Sequence, residues 1–305
     1  MEPGHVVPMK LMTAGEVPRG NFIYQLKWDG VRMLSFVSVS GVILQNKQLR
    51  IRTAQYPELQ KLPRLLKARQ AVLDGEIVVP TEGLRTSFQS VIRRDFASNP
   101  SVIKVMSQTL PIHYIIFDIL QLDGQTIATT PLEERLSLLR RYVRPDGENV
   151  TLIEDFPDGL ALYAATKEMG MEGIVAKEKA SAYLSGERTS LWQKIKHRLR
   201  ETFIVLGYTT RDGLVNSLVL GSAEAEGVYL FKGRAGSGLT SEHIHMLTAE
   251  LPKLHIASRP QGFPKDGTPV HPHLQVDIEF MEWTEDGVVR APSIKGFSVR
   301  GEQSG

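Results

Sequence analysis

The 305-residue sequence contains no cysteine. Disulfide staples, thiol nucleophiles and thiolate zinc sites are therefore excluded. No apolar run approaches the roughly 18 residues that a membrane-spanning helix needs. The opening MEPGHVVPMK lacks the cationic and apolar regions of a secretory signal, so a cytoplasmic protein with no membrane partner is expected. An excess of one charge is missing too: 36 Lys and Arg face 34 Asp and Glu, a net charge of +2. So mild a balance permits a nucleic-acid partner without requiring one, and puts the weight on local clusters. Repeats and low-complexity tracts are absent. KGRAGSG, at 232–238, is glycine-rich but lacks the Gly-Lys-Ser/Thr ending of a P-loop. The pairs His243/His245 and His271/His273 have no partners at zinc-site spacing, and no Gly-x-Ser-x-Gly elbow occurs.

What the sequence does contain is a change of character near Arg200. Before it, strands and helices mix. Residues 22–27 alternate as a strand, and VRMLSFVSV and VILQN flank Ser40-Gly41 as a hairpin. YPELQKLPRLLKA reads as a short helix or two turns, interrupted by Pro63. IHYIIFDIL is a buried strand. Thr130, Pro131 and Glu133 match an N-cap, an N1 proline and a capping-box acid, opening a helix over 131–143 with Leu132, Leu136 and Leu139 on one face. A second helix is predicted over 159–169, ending at Gly170. After Arg200 the pattern is short strands divided by Gly and Asp turns, with one helix near 241–250, which fits a small β-barrel. The expected architecture is α+β, with one domain over 1–200 and a second over 201–305.

Several short stretches carry possible chemistry. In QLKWDGVRM, Lys27 precedes an Asp-Gly turn that brings Arg32 back beside it. A lysine is a nucleophile only when deprotonated, which partial burial and a neighbouring cation favour; an exposed hairpin is the plain alternative. Asp74 and Glu76 in LDGEIVV alternate, so a regular strand points both to one face, toward a ribose hydroxyl or a metal; in isolation a plain Asp-Gly turn is the preferred reading. Phe117 at a strand end is a stacking platform or core. Glu172 opens a strand in MEGIVAK, with Lys177 five residues on. Between Glu187 and Arg200 there are five Lys or Arg and one acid, and Lys194 and Lys196 share a strand face. Such a stripe suits phosphate, or else guards a strand edge.

Taken in order, KWDGVR, LDGEIVV, FDIL, EGIVAK and WQKIK resemble motifs I, III, IIIa, IV and V of the covalent nucleotidyltransferases: ATP-dependent DNA ligases, mRNA capping enzymes and their relatives. FQSVIRR at 88–94 and DIEFMEWTEDGVVRAPSIKG at 277–296 are similar to segments of bacterial ATP-dependent ligases of the end-joining type. The resemblance implies a nucleotidyltransferase (ATP-grasp-like ligase) domain followed by an OB-fold β-barrel. It implies that Lys27 attacks the α-phosphorus of ATP to give lysyl-AMP, that AMP passes to the 5′-phosphate of a nick in duplex DNA, and that the 3′-hydroxyl then displaces it. Arg32 and Glu76 would contact the nucleotide sugar and its surroundings, and Phe117 the adenine. Glu172, with Glu76, would hold Mg2+ or Mn2+, and Lys194 and Lys196 would contact the α-phosphate.

The sequence departs from the family pattern at three places. Gln25 stands where many of these ligases have Glu. Lys47, preceded by Asn46, stands where an Arg usually binds the DNA 5′-phosphate. The last motif, normally Arg-x-Asp-Lys, is reduced to Arg300 and Glu302, with Arg300 the basic group left for the departing pyrophosphate. The resemblance further implies a monomer in the bacterial cytoplasm, associated with the nucleoid and helped by a DNA-end-binding protein in trans. An RNA ligase or guanylyltransferase of the same fold, and a non-catalytic DNA-end binder, are the alternatives.

Overall fold

The computed structural model describes residues 1–299 except 226, 227, 261 and 285. Arg300 and Glu302 thus lie outside the described residues. The chain divides into two compact units, 1–196 and 197–305. The strands of the first unit are β1 (Lys10–Thr13), β2 (Phe22–Leu26), β3 (Val31–Ser38), β4 (Gly41–Asn46), β5 (Gln70–Val78), β6 (His113–Leu122), β7 (Gln125–Thr126), β8 (Val150–Leu152), β9 (Gly173–Glu178) and β10 (Arg188–Lys196). Its helices are α1 (Leu62–Leu65), α2 (Phe88–Phe96), α3 (Pro100–Thr109), α4 (Leu132–Tyr142) and α5 (Gly159–Glu168).

Two sheets result. One has the order β1-β10-β9-β2, the other β4-β3-β5-β6-β7 with β8 added to β6. The apolar residues of β3, β5 and β6 lock the larger sheet into a core: Met33, Leu34, Ile77, Ile116 and Ile119 are all fully buried, joined by Leu132, Leu136 and Leu139 of α4. Each such side chain contributes about 1.5–3 kcal/mol by leaving water. The smaller sheet packs α5 through Tyr24, Leu162, Ile174 and Ile195.

One helix cap and the role of one proline need correction. The first residue of α4 follows Pro131, which is itself the N-cap and supplies no side-chain bond, so the Thr130/Glu133 capping box does not form. The Glu133 N–H instead donates to the Lys179 carbonyl at 3.1 Å. The stretch 53–65 is two 3-10 turns running into α1, and Pro63 sits in the first turn of α1, where its missing N–H costs nothing.

Two buried arginines tie distant segments of this unit together. Arg135 of α4 is fully buried and forms a two-pronged bond to Asp118 at 2.8 and 2.9 Å. Arg94 of α2, also fully buried, donates to the Leu110 carbonyl at 2.7 Å and the Gln55 carbonyl at 3.0 Å.

The second unit contains β11 (Leu199–Arg211), β12 (Leu214–Ala225), β13 (Val228–Ala235), α6 (Ser241–Glu250), β14 (Thr268–Pro269), β15 (Leu274–Phe280), β16 (Glu282–Trp283), β17 (Val289–Arg290) and β18 (Ser293–Val299). Its main sheet has the order β13-β12-β11-β15-β18, with β14 on β11. Phe203, Phe280 and Trp283 pack edge to face at its centre, with ring centres 5.0–5.9 Å apart. The expected barrel does not close. Among the described residues β13 and β18 share no ladder, and a backbone bond from Ile294 N to Ser237 O, 2.8 Å, links β18 to the segment after β13. Among the described residues the unit is β-rich with one α-helix, as read from sequence.

Candidate active site

Lys27 follows β2, and its backbone N–H donates to the Gly173 carbonyl at 3.0 Å. That contact joins the KWDG segment to the start of β9. Gly173 itself has φ +141°, and a Cβ there would lie 2.1 Å from the Ile195 carbonyl, so no other residue fits. Glu172, one residue earlier, is thereby held between two ammonium groups. Its carboxylate lies 2.7 Å from Lys27 Nζ and 2.5 Å from Lys196 Nζ. Burial would raise the Glu172 carboxyl, but Lys27 and Lys196 outweigh it and hold the group below its ordinary range. Lys194 lies two residues before Lys196 on β10, paired with Val175 of β9. Burial and the cations Lys196 and Lys27 push its ammonium down. Lys27 and Lys196 therefore converge on one buried acid.

The chain bends at Gly30 between β2 and β3. Gly30 takes no positive φ; it is required because a Cβ would sit 2.3 Å from the Ile77 carbonyl as the chain enters β3 beside β5. Arg32 then lies opposite Glu76 and two residues before the partner of Asp74. Its guanidinium turns to Asp74, with bonds of 2.7 and 2.6 Å. Burial would lower the Arg32 guanidinium, but the Asp74 charge and hydrogen bonds overcome it and raise it. Asp74 also accepts from Tyr183 Oη at 2.6 Å, and Tyr183 packs edge-on against Trp192. Asp74 is thus an anchor for Arg32, not a free ligand for ribose or metal, and this corrects the pairing of Asp74 with Glu76.

A pocket between the two sheets is lined by Lys27, Trp28, Arg32, Glu76, Phe117 and Lys177. The Phe117 ring has Arg32 at 4.7 Å and Lys177 at 4.3 Å from its centre, and Lys177 is 4.1 Å from Trp192. Burial brings the Lys177 ammonium down to about 7, opposed by Asp118 and assisted by Arg32. Burial likewise raises the Glu76 carboxyl to about 7, against Lys27 and Arg32 and with the help of Glu172. Gln25, buried on β2, donates its amide to Asp155 at 2.7 Å. No group of three or more His, Asp or Glu among the described residues could cage a metal unaided. Glu76 and Glu172 sense each other's charge, and a hard cation such as Mg2+ is commonly held by one or two carboxylates plus phosphates and water. The donor set fits a metal that arrives with a phosphate ligand.

Residues 10–196 match the model of the ATP dependent DNA ligase domain, and residues 211–299 match that of the ATP dependent DNA ligase C terminal region. The chain belongs to the ATP-dependent DNA ligase family. It is 30% identical over 295 residues to the multifunctional non-homologous end joining DNA repair protein LigD of Mycobacterium tuberculosis, covering 93% of this chain and 37% of that protein. A probable DNA ligase of Rhodococcus opacus is 32% identical over 276 residues, covering 85% of this chain and 50% of that one. The chain therefore spans between about a third and a half of the length of these relatives. Among solved structures, mycobacterial DNA ligase D complexed with ATP and MES aligns with a TM-score of 0.57 at 28% identity, covering 99% of this chain and 98% of that one.

Of the ligase-motif residues singled out from sequence, Lys27, Arg32, Glu76 and Phe117 line the pocket, while Lys27 and Lys196 meet on Glu172. Lys47 does not line it; it is exposed in the turn after β4. Four participants were not assigned from sequence. Lys177 and Trp192 line the pocket, Tyr183 supports Asp74, and Asp155 orients Gln25. Lys177 was visible as the next alternate position after Val175, on a strand that is apolar up to that point. Tyr183 and Asp155 gave no local signal, because their partners are distant in the chain.

Proposed function

We propose that this protein is an ATP-dependent DNA ligase that seals nicks in duplex DNA through an AMP covalently attached to Lys27. The observation that carries the reading is the convergence of Lys27 and Lys196 on Glu172 beside a pocket lined by Arg32, Glu76 and Phe117. Lys27 Nζ bonds to the α-phosphorus of ATP as the bond from that phosphorus to the bridging oxygen breaks and pyrophosphate leaves. A 5′-phosphate oxygen at the nick then bonds to the AMP phosphorus as its bond to Lys27 Nζ breaks and the lysine amine is released, and the 3′-hydroxyl displaces AMP as the phosphodiester forms.

Such transfers depend on positioning and on cations around the phosphate more than on an acid–base pair. Lys194 and Lys196 supply the positive charge at the α-phosphate. Arg32, held by Asp74, and Glu76 orient the nucleotide sugar, and Phe117 stacks on adenine. Glu172 and Glu76 would hold Mg2+ or Mn2+, which when bound neutralises phosphate charge. Lys47 takes the DNA 5′-phosphate, and Arg300 assists departure of pyrophosphate.

The first unit is read as the adenylation domain and the second as an OB-fold domain. On this reading the protein works as a monomer in the bacterial cytoplasm at the nucleoid, with a DNA-end-binding protein in trans. The test is sealing of a singly nicked duplex with ATP and Mg2+, run beside GTP and beside nicked RNA. Joining of nicked DNA with ATP is expected. Attachment of GMP, or joining of RNA alone, would replace the reading with a guanylyltransferase or RNA ligase.

A further inference from the structure

Gln25 is buried on β2, and its surroundings fix which end of its amide meets the pocket. The segment after β8 crosses from the larger sheet to the smaller one. Its Ile153 N–H donates to the Ile116 carbonyl of β6 at 2.9 Å. Three residues on, Phe156 exchanges backbone bonds with Tyr24 of β2, at 2.8 and 3.0 Å. That antiparallel bridge sets Asp155 beside Gln25. Gln25 Nε2 donates to Asp155 Oδ1 at 2.7 Å, and Arg140, in the last turn of α4, pairs with Asp155 Oδ2.

A carboxylate offers acceptors and no donor. The Gln25 amide must therefore turn its NH2 group to Asp155, which sends Oε1 elsewhere. Among the described residues this is the one side-chain hydrogen bond that Gln25 makes. Gln25 also lines the nucleotide pocket, together with Phe117 and with Val175, its partner across β9. An acceptor oxygen that no donor of the chain satisfies is thus held at that pocket. A glutamate at position 25 would instead set two carboxylates against each other, which is unfavourable for both.

We infer that Asp155 is a positioning residue for choice of the nucleobase. It holds Gln25 so that Oε1 accepts from the exocyclic amine of adenine stacked on Phe117. Guanine carries a carbonyl oxygen at the matching ring position. It would meet Oε1 acceptor to acceptor and leave both desolvated without a partner. Arg140 braces Asp155 from the surface side. The inference rests on the ligase reading.

The test labels the intact protein with ATP or GTP carrying a labelled α-phosphate, each over a concentration series. The proteins are the parent, Asp155→Asn, Gln25→Glu and the exchange Gln25→Glu/Asp155→Asn, with Tm recorded for each. The parent should favour ATP. An asparagine at 155 can donate or accept, so the Gln25 amide is free to turn, and the preference for ATP over GTP should fall by about tenfold. Gln25→Glu alone should need more ATP. In the exchange variant the asparagine donates to one oxygen of the glutamate and leaves the other for adenine, so ATP use and preference should return toward the parent. A defect of folding alone would lower Tm and the use of both nucleotides together, and the exchange would not repair it. An unchanged ATP-to-GTP ratio in folded Asp155→Asn, or an exchange variant no better than Gln25→Glu, overturns the inference and leaves the ligase reading standing. A parent labelled by neither nucleotide overturns the ligase reading, and the inference with it.

Discussion

Replacing Asp74 with asparagine removes the anion that holds Arg32. Asp74 is fully buried, and the Arg32 side chain is only 14% exposed. The change therefore strands a guanidinium charge in the interior. Breaking one side of such a buried pair costs about 3–5 kcal/mol. Two features favour the low end: asparagine keeps one accepting oxygen, and the Phe117 ring face offers Arg32 about 0.5–2 kcal/mol of cation–π attraction. We take about 3 kcal/mol. For a first unit of 196 residues, that loss lowers Tm by about 6–12 °C. Calorimetry of the Asp74→Asn protein measures it. The double variant Arg32→Gln/Asp74→Asn should melt higher than the two single losses add up to, because residues in contact couple. ATP labelling of Lys27 should need more ATP, since Arg32 is no longer aimed. Were Asp74 instead a direct ligand for ribose or metal, Tm would stay within about 2 °C, the range of a surface change, while labelling collapsed. That pattern would refute the anchor argument.

Two further outcomes follow from the pocket. The Glu76 carboxyl has a folded pKa of about 7 against an ordinary 4.5. The folded state therefore binds a proton that the unfolded state releases, and ionised Glu76 costs stability increasingly as pH rises from 4.5 through 7. Glu76→Gln should raise Tm at pH 8, by a gain of up to about 3 kcal/mol, and leave it unchanged at pH 4.5; an equal effect at both pH values would contradict the burial argument. Phe117→Leu should raise the ATP concentration needed for labelling by a stacking-sized about 0.5–1.5 kcal/mol, and a fall in Tm with ATP use unaltered would make the ring core only.

The parts of this structure that were legible in sequence are those set by neighbours along the chain. Alternation placed Lys194 and Lys196 on one face, and β10 delivers Lys196 to Glu172. The Gly170 stop of α5 and the helix at 241–250 were marked by local signals. Asp74 was misread because its role depends on the β3–β5 register, which sets Arg32 within reach of it. The capping box failed at α4 because Lys179, from the segment after β9, satisfies the Glu133 N–H that the box would have used. Helices α2 and α3 were not read as helices, although Ser87, and Asn99 before Pro100, cap them as the sequence allows. Arg94 broke the apolar face of α2, since a buried arginine makes sense only with carboxylates and carbonyls from distant segments.

The central claim is that Lys27 carries the AMP. The direct measurement is incubation of the intact protein with α-labelled ATP and Mg2+, denaturing electrophoresis, and mass mapping of the labelled peptide, beside Lys27→Ala. The account predicts one adenylylated site, at Lys27, discharged by nicked DNA, and no label on a folded Lys27→Ala protein. Label retained by Lys27→Ala, or mapped to another lysine, would contradict it.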